Sequence, residues 1–192
     1  MMDIKALKTE LREQYLARRA AIPAEEKQRR EERICRLIAD SASFRYAETI
    51  LAYSPRENEI DIRPVLLHAL SLGKRVALPR CVGEHRMNYH YVTALDELAP
   101  GSYGILEPAA EAPIFEEDPG HSSLCLVPGV VFDVHGYRIG YGGGYYDRFL
   151  HGFHGSVAGL IYRDFIIPNL PRGRYDRALP IMITDGGMIA AK

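Results

Sequence analysis

The amino-acid sequence predicts an α/β fold with three layers, in which a mostly parallel sheet is flanked by helices. Two observations support this prediction: short apolar runs of strand length alternate with helical patterns, and a glycine-rich segment joins one apolar run, Leu124–Val127, to a predicted helix. The architecture is expected to be Rossmann-like, although the dinucleotide fingerprint of that fold is absent, as described below.

Two helices are predicted at the N-terminus. Residues 3–22 form an amphipathic pattern whose apolar positions are three and four residues apart, at Ile4, Leu7, Leu11 and Tyr15. A second helix begins after Pro23, because proline suits a first helical turn and the acids Glu25 and Glu26 suit the positive end of the helix dipole.

The rest of the chain alternates between strands and helices. The predicted strands are Thr49–Ser54, Arg75–Leu78, Met87–Val92, Leu124–Val127, Ser156–Ile161 and Ile181–Thr184. A helix capped by Asp61 and ended by Gly73 follows the first strand, and a short helix covers Tyr145–Leu150. The stretch Leu98–His121 is rich in proline, glycine and acids and is expected to be a long surface loop.

Length and composition indicate which class of protein this chain belongs to. The chain has 192 residues, 47% hydrophobic and 26% charged, which favours a single domain over 1–192 with the helices of 3–41 packed on it. The net charge of −1 gives no strong preference for nucleic acid or an anionic membrane. No apolar run approaches membrane-spanning length, and the N-terminus lacks a signal-peptide core. We expect a cytoplasmic protein with no nucleic-acid or membrane partner and no obligate protein partner.

Two features have simple alternatives to a function. Residues 1–36 contain ten Lys or Arg against seven acids, and a helical face with interleaved charges is a better interpretation than a nucleic-acid surface. The cysteines Cys35, Cys81 and Cys125 are far apart and form no CxxC pair, so they are interpreted as reduced thiols, with Cys125 in the core.

The segment from Leu126 to Leu150 contains the strongest functional signal. It is predicted to run from strand to glycine-rich loop to helix, an arrangement in which backbone can approach a phosphate. Arg138 adds a cation, and Asp147 in the first helical turn is placed to hold magnesium. Neither a P-loop nor the GxGxxG fingerprint is present. The alternative is a glycine-rich turn in which Asp147 only favours the helix dipole.

The string from Gly136 to Arg148, GYRIGYGGGYYDR, resembles the signature of the 5-formyltetrahydrofolate cyclo-ligase family. Other parts of the chain resemble the family in order and spacing, so the resemblance covers nearly the whole length. These parts are Lys8 and Arg12, Glu59, Leu78–Arg80 with Met87, Gly104–Pro108, Val127–Gly129, Phe132 with Asp133, and Asp176.

The resemblance implies an ATP- and magnesium-dependent enzyme that acts on 5-formyltetrahydrofolate. The formyl oxygen on N5 is phosphorylated, N10 then attacks, and phosphate leaves as the ring closes to 5,10-methenyltetrahydrofolate. Such a reaction needs positioning and charge neutralisation and no covalent protein nucleophile.

The resemblance also implies roles for individual residues. The residues implied to contact ATP are Lys8, Arg12, Arg138, Gly140, Gly142, Gly143, Gly144 and Tyr146. Those implied around the folate are Tyr53, Glu59, Tyr141 and Tyr145. Asp147 and Asp176 are implied to hold magnesium, and Arg138 and Tyr145 are the implied catalytic residues.

Each role has a structural alternative. Lys8 and Arg12 are four residues apart and share a helix face, and the alternative is that this face is only solvated. Glu59 is otherwise a helix start, Tyr53 a core residue and Asp176 a plain loop acid. His151 and His154 are three apart, but no third metal ligand is evident, so they are interpreted as surface residues.

One departure from the family pattern affects the charge of the loop. Some members carry a basic residue at the positions matched by Tyr141 and Gly143, and this chain carries none there. More of the neutralisation then falls to Arg138, Lys8 and Arg12. The rival hypothesis is another ATP- or phosphate-ester-using enzyme on the same scaffold with a non-folate substrate, because a fold does not determine a substrate.

Overall fold

The structure is a computed structural model that describes residues 3–192. Its helices are Ile4–Ala20 (α1), Ala24–Asp40 (α2), Ala42–Tyr46 (α3), Arg63–Ser71 (α4) and Tyr145–Phe149 (α5). Its strands are Thr49–Leu51 (β1), Arg75–Gly83 (β2), Arg86–Val92 (β3), Ala99–Pro100 (β4), Leu106–Glu107 (β5), Ser123–Pro128 (β6), Val131–Asp133 (β7), Arg138–Ile139 (β8), Ser156–Leu160 (β9), Ile166–Ile167 (β10), Ile181–Thr184 (β11) and Gly187–Ala190 (β12).

Seven strands form the central sheet in the order β12-β11-β9-β6-β1-β2-β3. The five inner strands run parallel, and the two edge strands, β12 and β3, are antiparallel to their neighbours. The predicted mostly parallel sheet flanked by helices is therefore confirmed. Because the chain passes from β1 to β2 on one side and places β6 on the other, the strand order reverses at β1, where open α/β sheets bind their ligands.

The core surrounds the middle of this sheet. Every residue of β1 is buried, and β6 is buried from Ser123 to Val127. On one side of β6, Cys125 lies 3.8 Å from the hydroxyl of Tyr89, whose ring packs at 4.7 Å on Phe149 of α5. Strands that are covered on both faces carry continuous apolar runs, which is why Leu124–Val127 shows no alternation.

The two N-terminal helices are joined to the sheet by buried polar contacts. Arg19 of α1 is 3% exposed, and its guanidinium donates to the carbonyl oxygen of Gly129 at 2.8 Å. In α2, the carboxylate of Glu31 accepts from the hydroxyl of Tyr162 at 2.8 Å. Within residues 3–192, no helix has both the length and the apolar character to cross a bilayer.

Several element boundaries differ from those expected. β1 ends at Leu51, and the residues up to Ser54 leave the sheet, whereas β2 continues beyond Leu78 to Gly83 because it pairs with β3 in an antiparallel ladder. Asp61 does not cap α4: the cap is Ile62, although the Asp61 carboxylate accepts the amide of Arg63 at 3.0 Å.

The expected glycine-rich loop contains more structure than the sequence indicated. β7 and β8 lie inside Pro128–Gly144 and pair with each other, and β7 also pairs with β10. The expected long loop Leu98–His121 contains the two-residue strands β4 and β5, a 3-10 turn at Ser102–Gly104 and a single bridge from Ile114 to His90. The edge strand β12, the short helix α3 and β10 were not predicted.

Candidate active site

A cavity of about 780 Å³ opens where β1, β2 and β6 end. This volume lies in the upper part of the range typical of small-molecule sites. All fourteen residues assigned above to ATP, folate or magnesium lie on its wall: Lys8, Arg12, Tyr53, Glu59, Arg138, Gly140, Tyr141, Gly142, Gly143, Gly144, Tyr145, Tyr146, Asp147 and Asp176. The fold therefore brings together residues up to 168 positions apart in the chain.

On one side of the cavity, cations and carboxylates are paired. We call this the ion-paired side and define it by Lys8, Arg12, Arg138, Asp147 and Asp176. The ammonium of Lys8 contacts the Asp176 carboxylate, and Arg138 lies 3.2 Å from an Asp147 oxygen. Because the Arg138 side chain is only 4% exposed, the Asp147 carboxylate offsets part of the free-energy cost of burying its charge.

Both carboxylates of the ion-paired side also accept backbone amides. Asp147 accepts the amide of Arg177 at 3.2 Å, and Asp176 accepts that of Gly173 at 2.7 Å. The segment Pro171–Arg177 is thereby held against the cavity. Asp176 is thus part of the cavity wall and is not a solvated loop acid.

Arg12 connects α1 to the glycine-rich loop. Its Nε donates to the carbonyl oxygen of Gly140 at 2.7 Å, so it does not lie on a purely solvated helix face. Gly142 has a φ of +99°, and a Cβ there would lie 3.4 Å from a guanidinium nitrogen of Arg12. The loop conformation next to Arg12 therefore requires glycine at this position.

Gly143 is restricted by a contact within the protein, in addition to the role expected for it beside a phosphate. A Cβ at this position would lie 2.5 Å from the ring of Tyr145, and the Gly143 carbonyl oxygen lies 2.7 Å from Nδ1 of His85. The close approach is thus made by a neighbouring aromatic ring. Tyr145 also places its hydroxyl 3.0 Å from that of Tyr103, and this hydrogen bond raises the pKa of Tyr145, so the phenol remains protonated near neutral pH.

Another part of the cavity wall carries a buried carboxylate that forms no salt bridge within residues 3–192. We call it the Glu59 side and define it by Tyr53, Arg56, Glu59 and Tyr141. Glu59 is 6% exposed. One of its oxygens accepts the amide of Arg56 at 3.0 Å, and the other has no hydrogen-bond partner within residues 3–192. Burial raises the pKa of Glu59 above its ordinary value.

Tyr53 and Tyr146 form part of the cavity wall and do not act as free polar groups. The Tyr53 hydroxyl donates to the carbonyl oxygen of Ile60 at 2.8 Å, in the segment that carries Glu59. Burial raises the pKa of both tyrosines well above the ordinary value. The ring of Tyr146 lies 5.9 Å from the guanidinium carbon of Arg138.

Arg56 and Tyr103 are among the cavity residues to which the sequence reasoning assigned no role. The guanidinium carbon of Arg56 lies 4.7 Å from the ring centre of Tyr141 and 6.0 Å from that of Tyr103. Arg56 is three residues before Glu59, so its place beside a predicted site acid was an available signal. Tyr103 directly precedes Gly104–Pro108, which resembles a family element, but nothing in that element indicated that the tyrosine would reach the cavity.

The carboxylate oxygens of Asp147 and Asp176 can hold magnesium only if a bound ligand supplies further oxygen donors. One oxygen of Asp147 and one of Asp176 have no hydrogen-bond partner in the described part of the chain, and both residues line the same cavity. No group of three His, Cys, Asp or Glu side chains in that part is arranged to hold a metal ion. Two carboxylates suit Mg²⁺ when phosphate and water oxygens supply the remaining ligands.

The histidines His151 and His154 do not form a metal pair. His151 lies 3.1 Å from a guanidinium nitrogen of Arg177, and His154 contacts Glu117 at 3.1 Å. Both side chains are exposed, as expected from the sequence.

Comparisons with known proteins give a consistent result. The sequence profile of the 5-formyltetrahydrofolate cyclo-ligase family matches residues 4–185. A Caenorhabditis elegans protein named probable 5-formyltetrahydrofolate cyclo-ligase is 32% identical, with 98% of each chain covered. The 5-formyltetrahydrofolate cyclo-ligase of Escherichia coli K12 is 26% identical over 87% of this chain and 94% of its own.

Solved structures agree with the sequence comparisons. The NMR structure of Aquifex aeolicus 5,10-methenyltetrahydrofolate synthetase superposes with a TM-score of 0.84 at 30% identity, covering 97% of this chain and 93% of its own. The 5,10-methenyltetrahydrofolate synthetase of Mycoplasma pneumoniae gives a TM-score of 0.73 at 25% identity, covering 93% and 98%.

Proposed function

This chain belongs to the 5-formyltetrahydrofolate cyclo-ligase family, and we propose that the cavity described above is where its reaction takes place. The protein is an ATP-dependent ligase that converts 5-formyltetrahydrofolate to 5,10-methenyltetrahydrofolate, with ADP and phosphate as the other products. One observation supports the location: all fourteen residues assigned from the sequence lie on a single cavity at the reversal of strand order.

The chemistry proceeds in two steps. A lone pair of the formyl oxygen attacks the γ-phosphorus of ATP, the bond from that phosphorus to the bridging oxygen breaks, and ADP leaves with the electron pair. N10 then attacks the formyl carbon and loses its proton, and the carbon–oxygen bond breaks to release phosphate. The formyl oxygen ends in phosphate, and a methenyl carbon joins N5 and N10.

ATP phosphates are assigned to the ion-paired side. Lys8, Arg12 and Arg138 supply three cations there, and the glycine-rich loop presents backbone without side chains in the way. Each cation already has a partner, so the phosphates compete for the cations of existing pairs. Magnesium held by Asp147 and Asp176 would neutralise charge on the phosphates. Phosphoryl transfer depends mainly on such positioning and neutralisation.

The pterin ring is assigned to the Glu59 side. A carboxylate with a free oxygen suits the paired N–H donors of an aminopterin edge. Because Glu59 is buried and its pKa is raised, its charge is costly in the empty cavity. Donation by the pterin to Glu59 would offset that cost, and the pterin edge is then held at a fixed distance from the loop. Tyr145, protonated near neutral pH, is assigned to donate a hydrogen bond during the reaction.

A reducing compartment, the cytoplasm, remains our proposal for the location of the protein. Cys35, Cys81 and Cys125 are free thiols, as is usual where thiols are kept reduced. Burial raises the pKa of Cys35 and of Cys125 to about 12, so neither thiol is reactive at neutral pH.

The reaction is tested with substrate that carries an isotopically labelled formyl oxygen. Formation of the methenyl product is followed by absorbance, ADP is measured in the same samples, and phosphate is analysed by mass spectrometry. We expect one ADP for each methenyl group, with the label in phosphate. Turnover without nucleotide contradicts the function, and label retained outside phosphate contradicts the phosphorylated intermediate.

A further inference from the structure

Arg56 carries a cation on the cavity wall that forms no salt bridge within residues 3–192, although its charge attracts the nearby Glu59 carboxylate. Five basic side chains line the cavity, and three of them are bound: Lys8 to Asp176, Arg12 to the Gly140 carbonyl oxygen and Arg138 to Asp147. The side chains of Lys5 and Arg56 form no hydrogen bond and no salt bridge within residues 3–192. Lys5 is exposed on the first turn of α1, whereas Arg56 is half-buried. Arg56 is thus the cation of the cavity interior that is open to a ligand.

The contacts of Arg56 leave its hydrogen-bond donors available. Its guanidinium lies over the ring of Tyr141, with 4.7 Å between the guanidinium carbon and the ring centre. Such stacking uses the face of the guanidinium, while the five N–H donors point outward in its plane. The ring contact with Tyr141 holds the guanidinium at the cavity wall, and none of its N–H donors is hydrogen-bonded within residues 3–192, so they are available to an anion.

Arg56 belongs to the Glu59 side, and its side chain reaches the loop that the ion-paired side holds. Its backbone amide donates to Glu59 at 3.0 Å, while its side chain reaches Tyr141, the residue after Gly140, which Arg12 holds from the other direction. In the proposed function, the phosphoryl group passes from ATP on the ion-paired side to a formyl group on the Glu59 side. Arg56 borders that passage, and Tyr141 and Gly143 bring no charge of their own to it.

We propose that Arg56 is a catalytic residue that contacts the phosphoryl group during its transfer to the formyl oxygen. The proposal rests on the proposed function. As the bond to ADP breaks and the bond to the formyl oxygen forms, negative charge is spread over the three equatorial oxygens of the phosphoryl group. A planar guanidinium donates to such oxygens in a bidentate way that an ammonium does not reproduce.

A second anion on the substrate, the glutamate tail of the folate, is the competing partner. The tail is at the end of the molecule remote from the pterin ring. Since the amide of Arg56 is bonded to Glu59, which is assigned to the pterin edge, the phosphoryl group is nearer than the tail. The two partners differ in kinetics, because contact in the transition state alone lowers kcat, whereas contact with the tail alters substrate binding.

The test compares Arg56→Ala and Arg56→Lys with Arg36→Ala, an exposed arginine of α2 away from the cavity. Single-turnover rates of methenyl formation are measured with both substrates saturating. The Kd values for 5-formyltetrahydrofolate and for a non-hydrolysable ATP analogue are measured by calorimetry. Circular dichroism and the melting temperature report whether each variant is folded.

We expect Arg56→Ala to slow the single turnover by about a hundredfold or more, as for loss of one transition-state donor. Both Kd values should remain within a factor of about three, because ground-state contacts are kept. Arg56→Lys should be intermediate, guanidinium ion should partly restore Arg56→Ala, and Arg36→Ala should match the unmodified protein.

Two results overturn the assignment while leaving the proposed function intact. One is an unchanged single-turnover rate in a folded Arg56→Ala variant. The other is a loss confined to the Kd of 5-formyltetrahydrofolate that disappears with a formylated pterin lacking the glutamate, which assigns Arg56 to the tail. Failure of the unmodified protein to form the methenyl product overturns the proposed function and this assignment together.

Discussion

The two sides of the cavity differ in how their charges are balanced. On the ion-paired side, Lys8 and Arg138 each contact a carboxylate, and the partners come from distant parts of the chain. On the Glu59 side, Tyr53, Arg56 and Glu59 belong to one short segment. Neither the buried carboxylate nor the guanidinium forms a salt bridge among the described residues.

This difference means that the charges of one side stabilise the fold, whereas the Glu59 carboxylate becomes favourable only when a ligand binds. The pairs of the ion-paired side tie α1 and the segment Pro171–Arg177 to the cavity, so these charges contribute to the fold before any ligand binds. The unpaired Glu59 opposes folding slightly and becomes favourable only when a donor reaches it. Substitutions on the first side should therefore alter stability and activity together, and substitutions on the second side should separate them.

The largest expected effect follows from removing the charge of Asp147. Asp147→Asn leaves an oxygen for the amide of Arg177 but deprives the nearly buried Arg138 of its anionic partner. We expect kcat to fall by about a hundredfold or more, and stability to fall by about 2 kcal/mol.

Denaturant unfolding and steady-state kinetics measure these two effects, with Asp96→Asn, an exposed acid, as the control. A variant that turns over normally when folded contradicts a role in catalysis or magnesium binding. Excess magnesium should partly rescue turnover if metal affinity is what the substitution removed.

Removing the Arg12 side chain should weaken the binding of ATP. Arg12→Ala removes both a cation and the bond to the Gly140 carbonyl oxygen. Loss of a charge-assisted contact costs about 1.5–3 kcal/mol, so the apparent ATP constant should rise roughly ten- to a hundredfold. Steady-state kinetics at varied ATP, with Arg36→Ala as the matched control, measure this. If the ATP dependence is unchanged, Arg12 only orders the loop.

Neutralising Glu59 should weaken folate binding without loss of stability. Glu59→Gln keeps an oxygen for the Arg56 amide but loses the charge, and the Kd for 5-formyltetrahydrofolate should rise roughly tenfold. The pKa of Glu59 is raised in the folded chain, so its ionised form opposes folding at pH values above the raised pKa, and that opposition is lost as the pH falls through it.

The unmodified protein should therefore be less stable than Glu59→Gln at neutral pH, and the difference should vanish in acid. Urea unfolding at a series of pH values measures this. A Gln variant that is less stable at neutral pH would show that Glu59 has a favourable partner in the folded chain.

The smallest expected effect concerns the loop backbone. Gly142 has a positive φ and Gly140 does not, and a Cβ at Gly140 meets nothing within 4 Å. Gly142→Ala should cost about 1–3 kcal/mol of stability, while Gly140→Ala should leave stability nearly unchanged. Thermal unfolding of the two variants tests this, and equal melting temperatures would show that the loop adapts.

The sequence predicted the mostly parallel sheet because its central strands are buried on both faces and read as continuous apolar runs. β12 and β10 were missed because short or edge strands lack such runs. β7 and β8 were missed because glycines dominate their segment, and the cap of α4 was displaced by one residue because Pro64 occupies its first turn.

The site residues could be identified from the family signature, but which cation pairs with which carboxylate could not. Nothing in the spacing of Lys8 and Asp176, or of Arg138 and Asp147, indicates that each pair meets, since such contacts arise only when α1 and the last loops pack on the sheet. The role of Gly143 was likewise hidden, because the ring of Tyr145 that requires it folds back from two residues later.

The central claim is that one cavity binds ATP on its ion-paired side and folate on its Glu59 side. A crossed titration tests it most directly, with the Kd values of a non-hydrolysable ATP analogue and of 5-formyltetrahydrofolate measured for Arg12→Ala and for Glu59→Gln. We predict that Arg12→Ala weakens only the nucleotide and Glu59→Gln only the folate. Loss of both ligands in both folded variants, or the reverse pattern, would contradict the assignment of the two sides.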